Sequence, residues 1–385
     1  MTTRVYPAEH VLPGHPDKLC DAIADALVQE AGRREKRALC GVEVAVHRDH
    51  VFITGRIACR DADTIAADKI AREVFTTAGY DRHWYPSPSK LKIRAELCLG
   101  PLEEGESEFR GVSDDQSIVT GYAIDLPGTN YLPPEHWLAY RLSRRLEYLR
   151  TTRPELMLGP DGKVVVFYEQ DVDTSWLHGF SASLQQAIGG DTIELHRAVR
   201  QELEGELAAT VEAIPGFVPQ LPETISVNGA GNFAVGGPEG DNGLSGKKLV
   251  VDAYGPRVPI GGGALSGKDF YKADRAGAII ARRLAKAIVL AGVARECFTT
   301  VAFTPGAAQC NIVSVQAEDG RLLDAARFCR LLDLGLNGAG DRYTESTNLV
   351  EIARHGHFTG ADRPWERLGL DSETETGKLH VAQQA

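Results

Sequence analysis

The sequence contains no pair of cysteines at C-x-x-C spacing, although seven are scattered along it (Cys20, Cys40, Cys59, Cys98, Cys297, Cys310 and Cys329). An odd, dispersed set argues against a zinc site or a disulfide framework and leads to the expectation of reduced thiols in a cytoplasmic protein. The opening residues, Met1-Thr-Thr-Arg-Val-Tyr-Pro7, lack the apolar run of a secretory leader. No apolar stretch approaches membrane-spanning length, so no membrane partner is expected. Positive charge is in short supply: 42 Lys and Arg against 53 Asp and Glu give a formal charge of −11. That balance argues against a nucleic-acid surface. Low-complexity segments and long linkers are also missing. What remains is 43% hydrophobic and 25% charged over 385 residues, the make-up of a globular chain of two or three domains.

In so acidic a chain a cluster of cations must be local, and residues 261–274 hold one: Gly-Gly-Gly-Ala-Leu-Ser-Gly-Lys-Asp-Phe-Tyr-Lys-Ala-Asp. Bare glycine backbone feeding a helix N-terminus, with Lys268 and Lys272 beside it, suits a polyphosphate. The acids Asp269 and Asp274 suggest a divalent metal on that polyphosphate. Gly262 to Lys268 has the spacing of a P-loop, but Asp269 stands where Ser or Thr is required, and no buried strand precedes it. A second glycine-lysine loop covers 236–248, with Asp241, Lys247 and Lys248. It is expected to run into a strand at Leu249–Tyr254, so that both loops face one ligand.

The rest reads as alternating strands and helices. Pro16 suits a first helical turn, and Leu19, Ile23 and Leu27 follow as a buried stripe. Asp21 and Asp25 read as solvated acids on that helix, whereas Asp17, set between His15-Pro16 and Lys18, suits a metal or a phosphate. Strands are expected at 42–47 and 51–57, carrying Glu43 and Arg56 and joined at Arg48-Asp49-His50. Others are expected at 91–99, 163–168, 297–303 and 310–317, with a strand pair over 223–235. Helices are expected at 61–78, 135–150, 191–212, 272–291 and 321–334. On the fourth of these, Arg275, Arg282, Arg283 and Lys286 read as a solvated face. The acidic, aperiodic stretch 100–114 reads as a lid. Three similar blocks favour an α+β layer architecture over one doubly wound sheet.

With these residues in view, the chain resembles the S-adenosylmethionine synthetases. The resemblance rests on Gly14-His-Pro-Asp-Lys18, on Asp115-Gln116 with Gly121-Tyr-Ala123, on 236–252, and on 261–269 with Lys272 and Asp274, in order. Gly356-His-Phe358 and Pro364-Trp-Glu366 extend it to the C-terminus. It implies three pseudo-symmetric α+β domains with discontinuous segments: 1–13 with 126–235, 26–100 with 236–275, and 14–25 with 107–125 and 276–385. It implies a homodimer with shared active sites, often paired into a tetramer. The implied reaction joins ATP to methionine, with tripolyphosphate expelled and hydrolysed in place.

By resemblance, His15 lies beside the breaking bond, and Lys163, Lys247, Lys248, Lys268 and Lys272 contact the phosphates. Phe233 stacks on adenine, Asp115 holds the ribose, and Asp241 orients the amino acid. Asp17 and Asp274 hold two Mg²⁺ ions, and Glu43 helps bind K⁺. The chain also departs from the family's pattern. Arg56 and Lys247 replace Glu and Arg, Leu12-Pro13 replaces Ser-Glu, and no Gln lies between Leu91 and Asp115. The methionine end is the altered one, and Arg56 and Lys272 are assigned there. Methionine, a thioether with an extra acidic group, and hydrolysis of ATP or tripolyphosphate without alkyl transfer all stay open.

Overall fold

The structure, a computed structural model, describes residues 3–345 and 347–368. In chain order the first elements are β1 (Arg4–Val11), α1 (Pro16–Arg34), β2 (Leu39–His47), β3 (His50–Ala58), α2 (Ala67–Ala78), β4 (Lys92–Gly100) and α3 (Glu106–Phe109). Next come β5 (Ser117–Ile124), α4 (Pro134–Thr152), β6 (Leu158–Gln170), β7 (Ser175–Gln186), α5 (Thr192–Ala213), β8 (Phe217–Val218), β9 (Thr224–Val227) and β10 (Gly243–Leu244). The chain continues through α6 (Leu249–Asp252), α7 (Ala273–Leu290), β11 (Glu296–Phe303), β12 (Asn311–Ala317), β13 (Leu322–Leu323), α8 (Leu336–Tyr343) and α9 (Leu349–His355).

The strands form three separate sheets, as an α+β architecture requires. One runs β1-β6-β7-β8 with β9 also on β7, one runs β10-β2-β3-β4, and one runs β13-β12-β11-β5. Each is covered by helices: α4 on β1 and β6, α1 on β2, and α7 on β5 and β11. Alternation explains the sheets. In β2, Val42, Val44 and Val46 point inward and are buried, while Glu43 and His47 face outward. The chain enters and leaves each sheet more than once, so the first sheet is built from residues near 4–11 and 158–227. The expected break between residues 25 and 26 falls inside α1. Residues of the expected third domain beyond 368 lie outside the described residues.

Several expectations are corrected. Leu249–Asp252 is a single helical turn, not a strand. The 223–235 region supplies only β9, parallel to β7, and no hairpin. The expected helix at 321–334 is instead β13 and a 3₁₀ turn at Ala325–Phe328. The helix expected from 61 begins at Ala67. Strand β7 had not been expected at all.

The largest correction concerns charge. Arg275 and Arg282 are fully buried, and Arg283 and Lys286 are nearly so. The alanine-rich α7 is packed on every side, and its cations reach buried partners: Arg282 and Lys286 both bind Glu366. Asp21 and Asp25 are likewise buried, not solvated.

Candidate active site

Helix α1 carries three carboxylates one turn apart: the first two hold the 236–248 loop and the third holds the 261–274 loop. Asp17 Oδ1 accepts the Leu244 N–H at 3.0 Å, Asp21 Oδ1 accepts that of Gly246 at 2.8 Å, and Asp25 Oδ1 accepts that of Gly267 at 2.9 Å. A rise of about 6 Å per four residues sets the spacing of these stations. Both glycine-lysine loops are therefore laid along one helix. Buried carboxylates accepting backbone N–H groups make strong, charge-assisted hydrogen bonds. Lys18 lies between Asp252 at 2.5 Å and Asp21 at 3.2 Å, all fully buried. Burial pushes the Asp21 carboxyl up, and Lys18 only partly opposes it.

His15 caps α1. Its Nδ1 accepts the Asp17 N–H at 3.2 Å. Burial, with Lys248, Lys163, Lys18 and Lys247 nearby, pushes its pKa down to about 3. The ring is therefore neutral, and with Nδ1 acting as an acceptor its proton sits on Nε2. His15 lines a cavity of about 410 Å³ together with Lys163, Phe233, Asp241, Asp161 and the glycines of 236–240. Asp161 accepts the Gly237 N–H at 2.7 Å, and burial lifts its pKa to about 6. Gly237 has φ +63°, and a Cβ there would lie 1.9 Å from the Tyr80 hydroxyl. That hydroxyl donates to the Gly14 carbonyl at 2.7 Å, tying the His15 turn to the glycine loop.

Asp17 adjoins this cavity. Its Oδ2 is buried with no hydrogen-bond partner among the described residues, while Lys247 and Lys248 stand 3.7 and 3.6 Å from its carboxylate. An orphaned carboxylate oxygen among cations suits a hard metal ion bridging to phosphate. Lys163 pairs with Glu9, and Lys248 lies 3.9 Å from the same carboxylate.

A second group of expected residues does not line the cavity. Lys268 binds Asp274 at 2.5 Å, Ser117 donates to Asp274 at 2.6 Å, and Lys272 pairs with Asp114. The Asp274 carboxylate lies against bare Gly263, where a Cβ would fall 1.9 Å from its carbon. Strand register joins this group to the outer face of the second sheet. Lys268 bridges Gly41, Gly41 pairs with Arg56, and Arg56 pairs with Cys98. Glu43, two residues along from Gly41, accepts from Ser245 Oγ at 2.5 Å. Arg56 forks onto Glu106, with both contacts at 2.8 Å, and lies 3.6 Å from Glu103, so its partners are the acids of 100–114. Asp115 is exposed, and its carboxylate accepts the Gln116 N–H at 2.7 Å.

Among the described residues no three His, Cys, Asp or Glu side chains converge as a metal cage. That is compatible with Mg²⁺, which keeps several waters and is bound through one or two carboxylates plus substrate phosphates. Sequence reasoning missed Asp161, Glu9, Tyr80, Ser117 and the Asp25–Arg275 pair. Only Asp161-Gly162-Lys163, a polar-glycine-lysine triplet interrupting a strand, carried a visible signal. No helix of the described residues is long and apolar enough to cross a membrane.

Residues 3–95 match the family model for the S-adenosylmethionine synthetase N-terminal domain, and residues 235–367 match the model for its C-terminal domain. The chain is 30% identical over 403 aligned positions to an S-adenosylmethionine synthase of Petrotoga mobilis, covering 96% of this chain and 97% of that protein. It is 31% identical over 392 positions to that of Hyphomonas neptunium, covering 96% and 97%. It is 32% identical over 400 positions to that of a Synechococcus species, covering 94% and 95%.

Proposed function

Because the chain belongs to the S-adenosylmethionine synthetase family, we propose that it is a methionine adenosyltransferase that makes S-adenosylmethionine from ATP and L-methionine. A sulfur lone pair attacks C5′, the C5′–O bond breaks, and its electrons leave with the triphosphate chain. Thioether sulfur carries no proton, so no general base is needed. The barrier falls through alignment and through cations set where negative charge develops. The observation that carries this reading is the placement of His15: its Nδ1 accepts the Asp17 N–H, which leaves Nε2 as the donor, and the ring lines a cavity with Lys163, with Lys247 and Lys248 nearby.

In this reading Phe233 stacks on adenine, Asp115 binds the ribose, and Asp241 takes the amino acid's ammonium. Lys163, Lys247, Lys248, Lys268 and Lys272 hold the phosphates. Asp17 and Asp274 hold two Mg²⁺, and Glu43 holds K⁺. Bound Mg²⁺ would neutralise the leaving chain. Water then splits tripolyphosphate into pyrophosphate and phosphate in the same site. The two residue groups are completed across a homodimer, itself able to pair into a tetramer. Phe52 and Leu244 stand 43% and 48% exposed on the outer face of the second sheet, and so support its burial against another copy. The three sheets serve as the cores of three domains, and 100–114 serves as a lid.

Arg56 favours a second reading, in which the thioether carries an extra acidic group. Turnover of ATP with methionine and a panel of acidic and neutral analogues separates the two. Methionine should give the highest kcat/KM. An acidic analogue exceeding it would favour the second reading, and phosphate release without any sulfonium product would sink both.

A further inference from the structure

Lys268 and Asp274 lie at opposite ends of a short segment, yet their side chains meet. What fixes that segment is a contact from the far side. Arg275, next to Asp274 on α7, donates from both terminal nitrogens to Asp25 on α1, at 2.8 and 2.7 Å. Neither side chain is exposed. The same pair grips the loop at two consecutive residues. Asp25 accepts the Gly267 N–H at 2.9 Å, and Arg275 donates to the Lys268 carbonyl at 2.7 Å. Gly267 has φ +84°, and a Cβ there would meet the Val42 carbonyl oxygen at 2.3 Å. The loop therefore passes β2 as closely as glycine allows. The guanidinium is boxed in further by the Phe270 ring, 4.9 Å from its carbon, and by His357 at 3.0 Å.

This pair is a poor device for stability alone. Arg275 Nε is buried without a hydrogen-bond partner among the described residues. A buried ion pair is commonly no more stabilising than apolar packing of the same volume. Its distinctive property is geometric: one rigid, planar fork meets a carboxylate on α1 bidentately and a carbonyl in the loop at once, a fixed geometry that an ammonium group does not impose.

We propose that Asp25 and Arg275 are positioning residues for the reaction, fixing Lys268 and Asp274 where the leaving phosphate chain must find them. The proposal rests on the reading of those two residues as phosphate and metal contacts. Removing the fork should leave a folded protein whose Lys268 and Asp274 no longer sit in register.

The test compares R275K and D25N with R282K in the full-length protein. Arg282 is the control: it lies two turns further along α7, is equally buried, and forks onto Glu366 with two 3.0 Å contacts. Its side chain hydrogen-bonds to Glu366 and to the carbonyls of Tyr122, Asn130 and Tyr131, all of them outside the two glycine-lysine loops. The readouts are the thermal midpoint, the Kd for tripolyphosphate by calorimetry, and kcat and KM for ATP. R275K and D25N should weaken tripolyphosphate binding and lower kcat by about 10–100-fold, as loss of supporting contacts commonly does. R282K should lower the midpoint yet keep both values near wild type. If R282K loses as much binding and turnover as R275K, or if R275K and D25N keep wild-type values, the proposal is overturned. D25N carries the comparison alone should R275K not fold, because its amide oxygen still accepts the Gly267 N–H. Wild-type protein that neither binds tripolyphosphate nor turns over would overturn the functional reading, and the proposal with it.

Discussion

Replacing His15 by Gln keeps a hydrogen-bond donor at the cavity and removes the titrating ring. The structure fixes what that should do to stability. Burial and the neighbouring lysines hold the folded-state pKa at about 3, against an ordinary value of 6.5. The folded value lies below the unfolded one, so the unfolded chain takes the proton first. The stabilising contribution of the neutral ring is complete above pH 6.5 and is lost as pH falls towards 3. At pH 5 an ordinary histidine favours its protonated form by roughly 30-fold while His15 remains neutral, which corresponds to about 2 kcal/mol. The whole shift corresponds to about 5 kcal/mol. Other buried histidines, His10, His136, His355 and His357, are also pushed down. Acid will therefore weaken the variant as well, and the difference between the two proteins isolates His15. Urea unfolding at one fixed protein concentration, at pH 7.5 and pH 5, should show wild type losing about 2 kcal/mol more than H15Q. Equal losses would refute the neutral-imidazole account, as would a His15 ring signal titrating near pH 6.5 by NMR.

Lys268→Met should lower kcat by about 100–1000-fold, the scale of removing one preorganised group that stabilises developing charge. Steady-state rates with ATP check this, and an unchanged kcat would remove Lys268 from the leaving-group contacts. Glu106→Gln should release the Arg56 fork. Because Arg56 is 38% exposed, stability should fall by less than about 1 kcal/mol, while amide hydrogen exchange over 103–109 should quicken. Unchanged exchange would mean that the fork does not hold the loop. Arg282→Ala leaves Glu366 buried with only Lys286 as ionic partner and should cost about 3–5 kcal/mol by urea unfolding. A loss under about 1 kcal/mol would mean that the α7 cations are not structural.

The motifs were legible because glycine loops with lysines announce themselves locally. The β2–β3 hairpin and α7 were legible because their periodicity is strong. The roles of Asp21, Asp25, Arg275 and Arg282 were not. A charged residue at a helical position reads as solvated unless its partner is known, and these partners lie far away: Asp25 and Arg275 are 250 residues apart. Strand β7 escaped notice because Ser175, Gln185 and Gln186 are buried polar positions that blur its alternation. Val250 and Val251 suggested a strand, but the chain makes a single helical turn there, with the Asp252 carboxylate bound to Lys18. The meaning of Arg56 depended on Glu106, which opens the single-turn helix α3, too short to show any periodicity.

The central claim is that sulfur attacks C5′ and the intact triphosphate leaves. ATP labelled with ¹⁸O at the oxygen bridging C5′ and the α-phosphorus tests it directly, in a single turnover with methionine, Mg²⁺ and K⁺. The account predicts S-adenosylmethionine free of label, with all the ¹⁸O in the phosphate products by ³¹P NMR and mass spectrometry. Label retained on the nucleoside, or cleavage to ADP with no sulfonium formed, would contradict it.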